Sequence, residues 1–181
     1  MVKRTTKQPV EKIDLFVDSV QAIQTTQFGT DQTANNTARF GGFNLGLHVG
    51  DDERVVETNR LYLQHLLPGA CQLQWLEQVH ANNVLDINKI IFPYPSADAM
   101  ITRTPNLALA IMTADCLPIL LVNKNGDEIA ALHCGWRSTV SNIIALTLNK
   151  MQCKPNEVIA WLGPCISQQH FEVGEEVKLA F

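Results

Sequence analysis

The sequence contains no apolar run long enough to cross a bilayer, and the basic residues near its start are not followed by the apolar segment of a secretory leader. We therefore expect a cytoplasmic protein with no membrane partner. Basic residues are also few, since 14 Lys and Arg stand against 18 Asp and Glu and give a net charge of −4. Because they form no basic stripe, we expect no nucleic-acid partner.

The sequence also lacks CxxC pairs and a disulfide pattern. Its five cysteines are odd in number and widely spaced, which is typical of reduced thiols in a cytoplasm. Four of them are expected to be small buried apolar side chains, namely Cys71, Cys134, Cys153 and Cys165. With 181 residues and 46% hydrophobic content, the chain is predicted to form a single domain over residues 1–181.

Strand and helix signals alternate along the chain. Acidic residues followed by apolar residues at helical spacing predict a helix from Asp52 to Leu67, and Pro68-Gly69 ends it. A first strand is predicted within residues 17–28, and a polar surface loop is predicted over residues 29–42.

Short apolar runs predict a buried sheet. Residues 71–87 indicate an extended stretch that ends near His80. Three runs are typical of strands covered on both faces and are predicted to form the centre of the sheet: NLALAIM, PILLV and EIAALHC. The run NEVIAWLG predicts another buried strand. Between EIAALHC and NEVIAWLG the sequence predicts a helix capped by Ser138 or Thr139. Its apolar face is formed by Val140, Ile143, Ile144, Leu148 and Met151.

The two runs around Asn125-Gly126 are predicted to form a β-hairpin, because Asn-Gly favours a two-residue turn. Each residue before the turn then pairs with the residue equally far after it, which places Pro118 opposite His133. Cys116 lies two residues before Pro118, so its side chain shares a face with His133 at a Cα separation of about 7–8 Å. A four-residue loop keeps this register, whereas a three-residue loop would put the two side chains on opposite faces.

A cysteine beside a histidine can serve in metal coordination or in nucleophilic catalysis. His80, in the polar context EQVHANN, is a candidate third member of a site with Cys116 and His133. Two His and one Cys can bind zinc and leave a fourth position open, as in catalytic sites. The alternatives are an ordinary buried Cys116, a metal-free hydrolase with Cys116 as nucleophile and His133 as base, and a single copper ion. A multicopper cluster is disfavoured because it needs many histidines.

The segment GWRST follows His133 and leads from a strand into a helix. The free N–H groups of a helix start, together with the Arg137 guanidinium, are suited to an anion such as phosphate. The alternative is that Arg137 pairs with a surface carboxylate. His48, just before the first predicted helix, is assigned either a structural role or a place at the edge of a substrate site.

Six blocks of the sequence, in this order, resemble the bacterial YfiH family: NLGLHVGDD, WLEQVHANNV, ADAMIT, MTADCLPILL, ALHCGWRS and AWLGPCISQQHFEVGEEV. Its members were once labelled polyphenol oxidases or laccase-like proteins and are now described as purine nucleoside phosphorylases. The resemblance implies an α+β fold, a mixed β-sandwich core with surrounding helices, similar to toxin-type cysteine deamidases. It implies a catalytic zinc centre at His80, Cys116 and His133, and substrate contacts at Asn44 and Arg137.

The activity that the resemblance implies is zinc-dependent phosphorolysis of adenosine, inosine, guanosine or methylthioadenosine, with adenosine deamination as a second activity. Purine nucleosides and phosphate are the expected partners, zinc is preferred over copper, and a monomer is favoured. Family members typically continue beyond the end of this chain, so we expect a truncated form that keeps its zinc but turns over weakly. An inactive nucleoside-binding protein is the non-enzyme alternative. Two departures from the family pattern are Cys134 and Ser138, which stand where a small residue and a glycine are usual.

Overall fold

The computed structural model describes residues 8–28 and 40–181. The chain forms two compact units, the first consisting of the residues up to Asp14 with Gln21–Gly69, and the second of Leu15–Val20 with Ala70–Phe181. The single domain expected over residues 1–181 stays a prediction. Most of the loop predicted at residues 29–42 lies outside the described residues. None of the described helices is both long and apolar enough to span a membrane.

The first unit contains an antiparallel strand pair, β1 (Val10–Ile13) with β2 (Ala22–Thr25). The strand predicted within residues 17–28 is present as β2, but it is shorter than the predicted segment and is not the first in the chain. The run VEKI that forms β1 carries two charged residues in four, so its sequence has little apolar character to indicate a strand.

A helix, α1 (Glu53–Leu66), confirms the prediction in the first unit. Asp52 is its N-cap and accepts a hydrogen bond from the Arg54 N–H at 2.9 Å. Leu67 is extended because the following proline disfavours helical backbone at the residue before it. The helix therefore ends where the sequence predicted.

The second unit is built mainly from strands. Its elements are β3 (Gln72–Gln74), β4 (Val84–Asp86), β5 (Ala99–Thr102), β6 (Leu107–Leu109), β7 (Leu117–Asn123), β8 (Ile129–Cys134), α2 (Trp136–Val140), α3 (Ile143–Lys150), a 3-10 helix (Pro155–Glu157), β9 (Val158–Leu162) and α4 (Glu175–Ala180). Five strands form one sheet in the order β4-β5-β8-β7-β9, in which β4 and β5 are parallel and the other neighbours antiparallel. The helices and the mixed sheet confirm the predicted α+β class.

The centre of the sheet agrees with the sequence only in part. β7 and β8 are central and largely buried, as the runs PILLV and EIAALHC predicted. The run NLALAIM is not central, because β6 pairs with β3 in a separate two-stranded parallel sheet. NEVIAWLG is not a buried strand either, since β9 is an edge strand and its Leu162 is 61% exposed. Short apolar runs identify a strand but carry no information about which neighbours it acquires.

The extended stretch predicted to end near His80 ends earlier, at Gln74. At this point the buried Gln74 side chain forms hydrogen bonds with the backbone. Its Nε2 donates to the Trp75 and Ile91 carbonyls, and its Oε1 accepts from the Ile91 N–H. His80 itself has a left-handed backbone with φ of 57°. Beyond Gln74 the segment pairs through an isolated bridge of Glu77 with Ser96 and does not continue as a strand to His80.

The helix predicted after β8 is divided into α2 and α3. Asn142 interrupts it with a left-handed φ of 63°, a conformation that asparagine tolerates better than most residues. The predicted cap at Ser138 or Thr139 is wrong, because α2 begins earlier, directly after Gly135. The predicted apolar face is largely confirmed, since four of its five residues pack in the core against the sheet: Ile143, Ile144, Leu148 and Met151.

The two faces of the large sheet carry different clusters. One cluster contains Leu132 and Cys134 from β8 together with residues of α3. The other includes Met100 from β5, whose neighbours along that strand belong to the first cluster. Because side chains alternate along a strand, His133 faces away from Cys134 and away from α3.

The expectation of a small buried apolar side chain agrees with Cys134, which is buried. It is wrong for Cys165, which is exposed, and Cys71 and Cys153 are half-buried.

Candidate metal centre

The β7–β8 hairpin has the predicted register, with Pro118 opposite His133. Its loop differs from the predicted two-residue turn. Asn123 and Glu128 close the hairpin through the Asn123 N–H, which donates to the Glu128 carbonyl at 3.0 Å, so four residues lie between them. Gly126 takes a left-handed φ of 72° inside this loop. A four-residue loop preserves the pairing, so the side-chain faces agree with the sequence prediction.

Three side chains from separate segments meet at one end of the sheet: His80 from the segment after β3, Cys116 just before β7, and His133 near the end of β8. One potential ligand atom from each lies within 4.8 Å of the others. The two imidazole rings are in edge-to-face contact, with centroids 4.6 Å apart and planes at 80°. His133 is buried, Cys116 is half-buried and His80 is exposed. The group is therefore anchored in the core and reaches solvent at His80.

Asp98, which the sequence did not single out, lies directly behind this group. Its Oδ1 is 2.8 Å from His133 Nδ1, and its side chain is fully buried. The same carboxylate accepts hydrogen bonds from the N–H groups of His80 at 2.9 Å, Ala81 at 2.8 Å and Val79 at 3.3 Å. In the sequence, Asp98 stands out only as the one carboxylate in SADAMIT, a run of otherwise small and apolar residues. This position did not indicate that Asp98 contacts His80 and His133, because both lie in other segments.

The charge of Asp98 is stabilised by these bonds. Burial alone raises the pKa of the carboxyl, but the hydrogen bonds from His133, Ala81 and His80 outweigh burial and leave the pKa of Asp98 below its usual value. Asp98 is therefore an anion at neutral pH, and it accepts from the His133 ring rather than donating to it.

Burial raises the pKa of the Cys116 thiol, and the charges of Asp115 and Asp98 raise that pKa further. A thiol that acts as a nucleophile at neutral pH normally has a lowered pKa. A bound metal ion instead displaces the thiol proton and ligates the sulfur as thiolate. The surroundings of Cys116 thus disfavour a thiolate nucleophile in the absence of a metal ion.

Gly135 is a second residue that the sequence analysis missed. A β-carbon at this position would lie 3.0 Å from Cys116 Sγ and 3.2 Å from His80 Cδ2. Its φ of −68° is open to any residue, so the backbone does not require glycine here. The absence of a side chain instead gives the sulfur and the imidazole room to approach the backbone at the start of α2.

The donor set fits a zinc ion. Tetrahedral zinc with nitrogen and sulfur ligands places its donor atoms about 3.3–3.7 Å apart, given bond lengths of about 2.0–2.3 Å. The three atoms here lie within 4.8 Å of one another, so shifts on the order of 1 Å would close the site around an ion. Two imidazole nitrogens and one thiolate leave the fourth position of such an ion open.

Arg137, the predicted anion-binding residue, lies in α2 next to Gly135 and is exposed. Its guanidinium carbon is 4.3 Å from the centre of the Trp136 ring, a cation–π contact. Among the residues that the structure describes, no carboxylate forms an ion pair with it. Its role toward phosphate stays a prediction.

Asn44 and His48 belong to the first unit. The Asn44 side chain stabilises its own loop, because its Nδ2 donates to Asp51 at 3.0 Å and its Oδ1 accepts from the Gly46 N–H at 3.0 Å. The Asn44 carbonyl accepts a hydrogen bond from Asn59 on α1 at 2.8 Å. His48 is exposed in the same loop. The local geometry explains Asn44 as a turn residue, and the substrate roles of Asn44 and His48 stay predictions.

Comparison with known proteins places this chain in a family. Residues 24–181 match the family model described as multi-copper polyphenol oxidoreductase laccase. The chain is 42% identical over 144 residues to purine nucleoside phosphorylase YfiH of Escherichia coli K12, covering 78% of this chain and 58% of that protein. A purine nucleoside phosphorylase of Pseudomonas aeruginosa is 40% identical over 164 residues, covering 90% and 64%. The chain therefore belongs to the YfiH family, and it spans about three fifths of the length of these relatives.

Solved structures agree with this assignment. A Neisseria meningitidis protein superposes with a TM-score of 0.88 at 34% identity, covering 96% of this chain and 70% of that one. YlmD from Geobacillus stearothermophilus gives a TM-score of 0.76 at 27% identity, covering 86% and 62%. These neighbours support the predicted fold over nearly the whole chain.

Proposed function

We propose that the chain is a zinc-dependent purine nucleoside phosphorylase, or the part of one that holds the metal. The observation that carries the proposal is the convergence of His80, Cys116 and His133 within 4.8 Å. The relatives named purine nucleoside phosphorylase supply the reaction class. Adenosine, inosine, guanosine and methylthioadenosine are the proposed substrates, together with phosphate, and deamination of adenosine is a second proposed activity.

Phosphorolysis breaks the bond between C1′ of the sugar and the purine nitrogen and forms a bond from C1′ to a phosphate oxygen. The base leaves with the electron pair and takes up a proton. His80, Cys116 and His133 would hold the zinc ion, which would supply Lewis acidity when bound. The exposed Arg137 guanidinium offers several N–H donors to phosphate. Asn44 and His48 are proposed to contact the nucleoside.

Two other activities fit the site less well. A metal-free cysteine hydrolase or deamidase with a Cys116–His133 pair is disfavoured because the pKa of Cys116 is raised. A multicopper oxidase needs a cluster of copper ligands, whereas the described residues gather one group of two His and one Cys, which suits a single ion. An inactive nucleoside-binding protein is the non-enzyme alternative, and it would bind adenosine without releasing the base.

The proposal is tested by metal analysis and by nucleoside assays on the same preparation. We expect about one zinc per chain in the wild type, and loss of that zinc with retained folding in Cys116→Ala and His133→Ala, because a three-ligand site holds metal poorly after losing a ligand. The matched control is Cys165→Ala, which removes an exposed thiol outside the group. Full zinc content in both ligand variants would refute the metal site.

The activity assay measures release of base from adenosine with and without phosphate, after chelation and after reloading with zinc or copper. Phosphorolysis predicts release that requires phosphate and returns with zinc. Release of ammonia without phosphate would indicate deamination instead. Activity that survives chelation but is lost on thiol alkylation would favour the cysteine hydrolase, and adenosine binding without turnover would favour the binding protein.

A further inference from the structure

Asp98 contacts two of the three candidate ligands at once. Its carboxylate binds the His133 ring at Nδ1, and it accepts hydrogen bonds from three consecutive backbone N–H groups, those of Val79, His80 and Ala81. It is fully buried and lies at the start of β5, next to the strand that carries His133.

The contact with His133 determines which ring nitrogen faces the group. Because Asp98 is an acceptor, the Nδ1 of His133 carries the proton, and Nε2 keeps its lone pair for a metal ion. The His133 N–H also donates to the Asp98 carbonyl at 2.7 Å, so the backbone and the ring of His133 are fixed against the same residue. This leaves the ring little freedom to rotate.

The contact with the His80 segment fixes the second ligand through its backbone. His80 has a φ of 57°, a left-handed conformation that is uncommon for residues other than glycine, although histidine adopts it more often than most. Three successive N–H groups that point at one carboxylate form an anion-binding nest, and the negative charge of Asp98 stabilises this backbone. The position of the His80 imidazole therefore depends on Asp98, which holds the backbone that carries the ring.

We propose that Asp98 is a positioning residue that arranges His133 and His80 together, so that its loss disorders two ligands of the centre in one step. This inference rests on the proposed metal site. It assigns no direct contact between Asp98 and the metal or the substrate.

The test compares Asp98→Asn with a matched control, Glu128→Gln. Glu128 is also a buried carboxylate that accepts backbone N–H groups, those of Gln152 and Cys153, but it lies at the loop end of β8, away from the three ligands. Asparagine has one acceptor oxygen, so it cannot satisfy both the His133 ring and all three N–H groups. Both variants lose buried hydrogen bonds, but only Asp98→Asn removes contacts to the proposed ligands His133 and His80.

Binding of Co²⁺ to the metal-free protein is followed by the thiolate-to-cobalt charge-transfer band of Cys116 and by the d–d bands. For Asp98→Asn we expect an affinity about 10–100-fold lower than in the wild type and altered d–d bands. For Glu128→Gln we expect wild-type affinity and spectrum. Equal behaviour of the two variants would overturn the proposal.

A second measurement needs neither a variant nor a metal. Nitrogen-15 NMR of the metal-free wild type should show His133 protonated at Nδ1, and a neutral ring protonated only at Nε2 would contradict the proposal. If the wild type binds neither Co²⁺ nor Zn²⁺, the proposed function fails, and the His133 tautomer still decides whether Asp98 orients this ring.

Discussion

Gly135 determines how closely the backbone can approach the candidate metal centre. Its ordinary φ shows that the glycine is required for space, since the position of a β-carbon is already within 3.0 Å of Cys116 Sγ. A β-carbon at 3.0–3.2 Å is closer than most real β-carbon contacts, so a neighbour would have to move by a few tenths of an ångström. The two neighbours, Cys116 and His80, are proposed ligands, so this displacement would act directly on the site.

We expect Gly135→Ala to weaken zinc binding roughly 10-fold while leaving the protein folded, because ligand positions must be held to within about 0.5 Å. Isothermal titration of the metal-free protein with zinc measures the change. The matched control is Gly46→Ala, where a β-carbon would meet nothing closer than 3.5 Å. Unchanged affinity in Gly135→Ala would show that the sulfur and the imidazole can move without cost.

The residues of the site were predictable to different extents. The side chains of Cys116 and His133 could be assigned to one face from the sequence, because side-chain alternation and loop parity are local rules. Asp98 and Gly135 could not be found this way. Their roles depend on contacts between segments far apart in the sequence, and no spacing within one segment encodes such contacts.

The β7–β8 hairpin shows why an element can be predicted when its loop is not. The Asn123 side chain accepts hydrogen bonds from the N–H groups of Asp127 and Glu128, both at 3.1 Å, and this closes the loop one pair earlier than the predicted turn. The even loop length preserves the register. The edge position of β9 and the separate pairing of β6 were not predictable, because strand order is decided by packing between distant segments.

Glu128, at the end of the same loop, ties the hairpin to the segment after α3. Its carboxylate accepts from the N–H groups of Gln152 and Cys153 and pairs with Arg103 at 2.6 Å. Burial alone would raise the pKa of Glu128. The hydrogen bonds from Gln152 and Cys153 and the contact with Arg103 lower that pKa by a larger amount, so it lies below its ordinary value of 4.5.

A lowered pKa in the folded state means that Glu128 stabilises the fold above the unfolded-state pKa, and that this contribution is lost as the pH falls through the folded-state pKa. At pH 7 we expect Glu128→Gln to lower the free energy of unfolding by about 1–3 kcal/mol, because glutamine has one acceptor oxygen in place of two. Below about pH 4 the difference from the wild type should shrink. Urea unfolding at several pH values measures it.

The control for this prediction is Glu57→Gln, which changes an exposed carboxylate of α1. We expect its effect on the unfolding free energy to stay within about 0.5 kcal/mol at pH 7. A difference between Glu128→Gln and the wild type that is the same at pH 7 and at pH 3 would show that the ionised carboxylate is not the source of the stability.

At the scale of the whole molecule, the α+β class was implied by the resemblance to the YfiH family, and the alternating strand and helix signals along the chain are consistent with it. The candidate metal centre joins three segments of the second unit that are 36 and 17 residues apart in sequence, as the positions of His80, Cys116 and His133 show. Such a site exists only when β7, β8 and the segment after β3 are packed together. Metal binding at the proposed site would therefore be coupled to the folding of that unit.

Zinc should accordingly raise the thermal stability of the protein. An ion that binds the folded state and not the unfolded chain stabilises by about 2.7 kcal/mol when its free concentration is 100 times its dissociation constant, which corresponds to a rise in Tm of about 5–10 °C for a chain of this size. Scanning calorimetry of the metal-free protein with and without zinc measures the shift. In Cys116→Ala the same zinc concentration should leave Tm nearly unchanged, whereas Cys165→Ala should respond like the wild type, because its thiol is exposed and outside the ligand group. An equal zinc-induced shift in all three proteins would mean that the ion binds elsewhere, and the assignment of Cys116 as a ligand would be wrong.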